Sequence, residues 1–126
     1  MMGQKIMVVD DDPTMLKLAE TTLRMRGFEV VTANNGQKAI EVAQRERPAL
    51  IVMDLRMPEM DGKTAMHILK QAPETRDIPI LVISGLPPEQ ALAGPGEAVG
   101  FLEKPFALAD LAKEIRIAIS RHPATR

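Results

Sequence analysis

Short apolar runs alternate along the chain with longer segments whose apolar residues recur every three or four positions. The runs KIMVVD (5–10), FEVVTA (28–33), ALIVMD (49–54), PILVIS (79–84) and AVGFLE (98–103) predict five strands. The segments PTMLKLAETTLRMRG (13–27), NGQKAIEVAQRER (35–47), GKTAMHILKQA (62–72) and ALADLAKEIRIAISR (107–121) predict helices. Gly27 and Pro48 stop the first two, and the breaker-rich PETRDIP follows the third. In the last helix Leu108, Leu111, Ile115 and Ile119 make one apolar stripe. The cores IMVV, LIVM and ILVI are apolar at every position instead of every second one. Such strands need cover on both faces, which a parallel sheet between two helix layers provides. With right-handed crossovers this predicts an open, doubly wound five-stranded α/β domain. One stretch breaks the rhythm. In GLPPEQALAGPGEAVG (85–100), Pro87 and Pro88 suit a helix start, but Gly94, Pro95 and Gly96 end it within about two turns. The fourth helix is therefore expected to be shortened or irregular.

Length and composition narrow the function classes. The chain has 126 residues, which suits one domain over 1–126, with a core at about 5–121 and a tail at 122–126. It has no cysteine, so a disulfide framework, a thiol nucleophile and a thiolate metal site are excluded. Its apolar runs are strand-sized, so no membrane span is expected. A net charge of −1 gives no general attraction to nucleic acid, and three phenylalanines with no Tyr or Trp make a poor base-stacking platform. The expectation is a cytoplasmic domain without direct nucleic-acid contact. His67 and His122 have no spacing that pairs them as ligands, and the nine methionines read as adaptable core filler.

In an open parallel sheet, ligands bind beyond the carboxyl ends of the strands. Those ends carry Asp10 and Asp11 (first strand), Asp54 (third), Ser84 (fourth) and Lys104 (after the fifth). Clustered carboxylates repel one another unless a cation neutralises them. A hard divalent ion with oxygen ligands, such as Mg²⁺, fits three carboxylates and recruits phosphate oxygens. An ammonium and a hydroxyl opposite would contact the other oxygens of a phosphoryl group. Phosphoryl transfer onto an aspartate is the chemistry these residues suggest. Asp12 reads differently: it precedes Pro13, a favoured first helical residue, and so is expected to be an N-cap.

The ordered pieces VVDDDP, IVMDLRMPEMDG, VISG and FLEKPF resemble the signature of response regulator receiver domains, of the chemotaxis-type single-domain kind. The resemblance runs from about Lys5 to Arg121. It implies a flavodoxin-like (βα)5 fold and a phosphorelay from histidine to aspartate. Carried over position by position, Asp54 is the phosphoacceptor. Asp10, Asp11, Asp54 and the backbone carbonyl of Arg56 hold Mg²⁺, with Mn²⁺ a possible substitute. Ser84 and Lys104 contact the phosphoryl group, Ser84 and Phe101 form the switch, and the Lys104–Pro105 peptide is cis. Met57, Pro58, Asp61 and Gly62 belong to the loop that shapes the site. The implied partners are a sensor histidine kinase or a histidine phosphotransfer protein. A downstream protein would bind on the face from the fourth to the fifth helix, and the domain would be a monomer or a phosphorylation-dependent dimer. Such a receiver catalyses its own phosphorylation and dephosphorylation without being a turnover enzyme. Arg56, two residues past the acceptor, is expected to shield the phosphoryl group from water and lengthen its lifetime.

Two other readings compete. Asp10, Asp12 and Thr14 satisfy D-x-D-x-T, which resembles the nucleophile motif of haloacid-dehalogenase-type phosphatases. That family also places an acidic metal motif after its lysine, whereas here only Asp110 and Glu114 of the last helix follow Lys104. The second alternative is a receiver-like module that binds partners without being phosphorylated. The odd stretch at 85–97 favours it, and the complete set of acids, hydroxyl and lysine opposes it.

Overall fold

The computed structural model describes residues 3–56, 62–86 and 98–121. Its elements are β1 (Lys5–Val9), α1 (Pro13–Met25), β2 (Glu29–Ala33), α2 (Gly36–Glu46), β3 (Leu50–Asp54), α3 (Gly62–Gln71), β4 (Ile80–Ser84), β5 (Gly100–Glu103) and α4 (Leu108–Arg121). Each lies within one or two residues of its expected bounds. The strands form one all-parallel sheet in the order β2-β1-β3-β4-β5, the flavodoxin-like arrangement. The helix expected between β4 and β5 falls on 87–97, outside the described residues.

Uninterrupted apolar strands do lie between two cores. Met7 and Val9 of β1, Ile51 and Met53 of β3, and Ile80 and Val82 of β4 pack against Ala39, Ile40 and Ala43 of α2 and Ala65, Met66 and Leu69 of α3. The alternate residues Ile6, Val8, Leu50, Val52, Leu81 and Ile83 pack against Ala19 and Leu23 of α1 and Leu111, Ala112, Ile115 and Ala118 of α4. Strand alternation sends successive side chains into opposite layers, so every residue of such a strand needs to be apolar. In α4 the fully buried stripe is Leu111, Ala112, Ile115 and Ala118; Leu108 and Ile119 sit partly buried at its margins.

Local chemistry sets the helix ends. Asp12 Oδ1 accepts the Thr14 N–H at 3.0 Å, which makes it the N-cap of α1 ahead of Pro13 at the first turn. Asn35 caps α2 by accepting the Lys38 N–H at 2.8 Å. Gly27, at φ 95, ends α1 in a conformation that only glycine adopts without cost. Arg47 ends α2 at φ 47 without that freedom. No described helix is long and apolar enough to cross a membrane.

Candidate functional site

Because the strands run parallel, their carboxyl ends share one edge, and there the apolar pattern gives way to polar residues. Asp10 follows β1 and is 0% exposed; Asp54 ends β3 at 3%; Ser84 ends β4 at 0%. Asp11 is exposed beside them. Carboxylate oxygens of Asp10, Asp11 and Asp54 all lie within 4.8 Å of one another. The register explains their meeting. Val9 pairs with Met53 across β1 and β3, so the residues that follow, Asp10 and Asp54, leave the sheet at the same level.

Lys104 enters from the far side of β4. Its Nζ lies 3.0 Å from Asp10 Oδ2 and 3.3 Å from Asp54 Oδ2. Its backbone N–H donates to the Ser84 carbonyl at 2.7 Å, and the Lys104–Pro105 peptide is cis. The remaining acceptors are filled locally: the Asp12 N–H donates to Asp10 Oδ1 at 3.0 Å and the Arg56 N–H to Asp54 Oδ1 at 3.1 Å. Among the described residues no buried side-chain nitrogen or oxygen lacks a partner.

Electrostatically the cluster is under-neutralised, since three carboxylates face one ammonium. Burial raises the Asp54 carboxyl to about 6 from an ordinary 3.8; the Asp10 charge adds to this, while the Arg56 N–H and Lys104 oppose it. Burial works against the Lys104 ammonium, but its hydrogen bond to Asp10 and the charges of Asp10 and Asp54 raise its pKa above the ordinary value. A local excess of two negative charges on oxygen donors fits a hard divalent cation.

The other expected site residues fall as follows. Ser84 Oγ accepts the Leu86 N–H at 3.0 Å, which leaves its proton free to donate. Phe101 in β5 is partly buried against the α2–α3 core, together with Leu86 and Ala98. Arg56 has an exposed side chain directly after β3. Gly62 opens α3 so close to β3 that a Cβ there would collide with the Asp54 carbonyl; only glycine lets the chain turn back at this point. Met57, Pro58 and Asp61 lie outside the described residues. Asp12 is spent on its cap and is absent from the carboxylate cluster, which removes the acid/base partner that the phosphatase reading needs.

One feature escaped the sequence reasoning. A groove of about 470 Å³ opens beside Lys104, between Met15 and Leu18 of α1 and Pro105, Phe106 and Leu108. Its sequence signal is Leu18, an apolar residue just off the Ala19–Leu23 core stripe and 52% exposed.

Comparison with known proteins adds to this geometry. Residues 6–116 match the family model described as response regulator receiver domain. The transcriptional regulatory protein PrrA of Mycobacterium leprae is 37% identical over 123 residues, covering 96% of this chain and 52% of its own length. The chain thus spans about half the length of the curated relatives it matches. Among solved structures, a sensor protein from Polaromonas sp. JS666 superposes with a TM-score of 0.87 at 28% identity, covering 94% of this chain and 98% of that one. The receiver domain of the sensor histidine kinase PA1611 from Pseudomonas aeruginosa PAO1 superposes with a TM-score of 0.84 at 30% identity and the same coverage. That structure has a magnesium ion coordinated in its active-site cleft.

Proposed function

The chain belongs to the response regulator receiver domain family, and on that premise we propose that Asp54 is its phosphoacceptor. The observation that carries this reading is the convergence of Asp10, Asp11 and Asp54 at one strand edge, with Lys104 bridging two of them. An Asp54 carboxylate oxygen attacks the phosphorus of a phosphohistidine in line. The O–P bond forms as the N–P bond breaks, and the electron pair returns to the imidazole nitrogen. Lys104, already at Asp54 Oδ2, turns its ammonium to the phosphoryl oxygens, and the Ser84 hydroxyl donates to another. Asp10, Asp11, Asp54 and the Arg56 carbonyl would hold Mg²⁺, or Mn²⁺ in its place. When bound, this ion supplies the charge neutralisation that one lysine leaves incomplete. The domain thereby catalyses its own modification. The Arg56 side chain, two residues past the acceptor and exposed, would slow hydrolysis of the acyl phosphate.

The donor is a sensor histidine kinase or a histidine phosphotransfer protein, and the apolar groove beside Lys104 offers it a surface next to the acceptor. Signalling follows if phosphorylation draws Ser84 from the Leu86 N–H and Phe101 repacks with it. That change would be read by a downstream protein on the side of β5 and α4, or by a second copy. The cytoplasm, where such donors keep their histidines, is the compartment this reading requires.

The test is intact mass after incubation with acetyl phosphate and Mg²⁺. Wild type gains one phosphoryl group and Asp54→Ala gains none. Label on Asp10 would support the phosphatase reading instead. No label at all would leave a constitutive interaction module.

A further inference from the structure

The amino edge of the sheet holds a pocket of about 320 Å³, separated from the carboxylate site by the length of β1. Gln4 lines it just before β1, Arg26 and Phe28 line it at the turn from α1 to β2, and Arg116 and Ser120 line it from α4. Among the described residues no carboxylate contributes to its wall. The Arg116 guanidinium is held in place from two directions. It lies 5.6 Å from the centroid of the Phe28 ring, and its Nη2 donates to the Arg26 carbonyl at 3.4 Å. That contact uses one of five N–H donors. Neither Arg116 nor Arg26 has a carboxylate partner among the described residues, whereas the nearby Arg24 pairs with Glu20 at 2.8 Å.

Carbonyls at the end of a helix would repel an anion, but here those of Leu23, Arg24 and Arg26 are already engaged. Leu23 O accepts the N–H groups of Arg26 and Phe28, Arg24 O accepts that of Gly27, and Arg26 O accepts Arg116. Among the described residues the pocket is thus lined by two arginines, Ser120 and Gln4, with Phe28 and Ile119 as its apolar part. A planar fork of donors matches a carboxylate or phosphate, and the contacts with Phe28 and the Arg26 carbonyl reduce the order to be gained on binding.

We infer that this pocket is a second binding site, for a small ligand with an oxyanion group on an apolar or aromatic body. The experiment is amide NMR of the full chain titrated, without Mg²⁺, with benzoate, phenyl phosphate and inorganic phosphate. Saturable shifts are expected at Gln4, Gly27 and Ser120 with both organic anions, while Asp11 and Arg56 stay unmoved. The tighter of the two organic anions identifies the oxyanion as carboxylate or phosphate, and inorganic phosphate, lacking the apolar body, binds more weakly. Arg116→Lys keeps the charge but removes the fork, and is expected to weaken binding about tenfold. Arg26→Ala weakens it severalfold and serves as a second variant if the first disturbs α4. Absence of saturable shifts, shifts centred on Asp11 or Arg56, or an affinity that neither variant alters would each overturn the inference.

Discussion

Two lysine–carboxylate contacts sit at opposite ends of the same sheet and behave in opposite ways. At the amino edge, Lys5 Nζ meets Glu46 Oε1 at 2.8 Å, with both side chains about a third exposed. At the carboxyl edge, Lys104 meets Asp10 and Asp54 at 3.0 and 3.3 Å, and both acids are buried. The shorter contact is the ordinary one. The hydrogen bond from Lys5, followed by that from Arg45, lowers the Glu46 pKa, so that pair is simply satisfied. Burial raises Asp54 despite its lysine. Distance therefore does not separate a satisfied ion pair from one that stays short of neutralisation. Burial and the count of charges do, because a buried carboxylate sharing one ammonium with a second acid stays short of neutralisation.

The two ends should differ most when each lysine is removed in metal-free protein and urea unfolding is followed at neutral pH. Lys104→Ala leaves two buried acids without a counter-charge and is expected to cost roughly 3 kcal/mol. Lys5→Ala removes an exposed pair and is expected to be barely resolved. Equal losses would mean that burial does not distinguish the two ends.

A smaller effect tests the sign of the Asp54 shift. In the unfolded chain this group ionises near 3.8, and in the fold only near 6. The native state therefore binds the extra proton between those values, and stability falls as pH rises through them. The gap is worth roughly 3 kcal/mol at most. Because the site opens to solvent, Asp54→Asn is expected to stabilise the metal-free protein by about 1–2 kcal/mol above pH 6. The gain should fade between pH 6 and 4, and a gain that grows on acidification would reverse the assignment.

The smallest effect belongs to the amino edge, where any cost is one of backbone conformation and not of charge. Arg47 ends α2 at φ 47, exposed, with its N–H bonded to Ala43 O at 2.9 Å. Arg47→Gly is expected to stabilise the fold by about 0.5–1 kcal/mol in the same urea titration. It should leave phosphorylation by acetyl phosphate unchanged.

Much of this is legible in the amino-acid sequence. The all-apolar runs IMVV, LIVM and ILVI required a doubly covered parallel sheet, and the structure has one, with alternate residues feeding the two cores. The place of Asp10, Asp11, Asp54, Ser84 and Lys104 at strand ends followed from the same pattern, since strand ends in a parallel sheet share an edge. Asp12 as a cap followed from Pro13 beside it. Less legible were features made by residues far apart in the chain. Leu18 of α1 lines a groove only because Pro105 and Phe106, far along the chain, close it from the other side. Arg116 meets Phe28 and the Arg26 carbonyl only because the turn after α1 brings them to it.

The layers, the strand count and the residues able to meet at the carboxyl edge are thus written in the chain itself, because periodicity and residue type are local properties. The tertiary structure decided how those residues share charge. It set Lys104 between Asp10 and Asp54, buried both acids, left Asp11 in solvent and placed Gly62 against the Asp54 carbonyl. Burial and charge pairing depend on segments far apart in the chain, and so they exist only once the sheet is assembled.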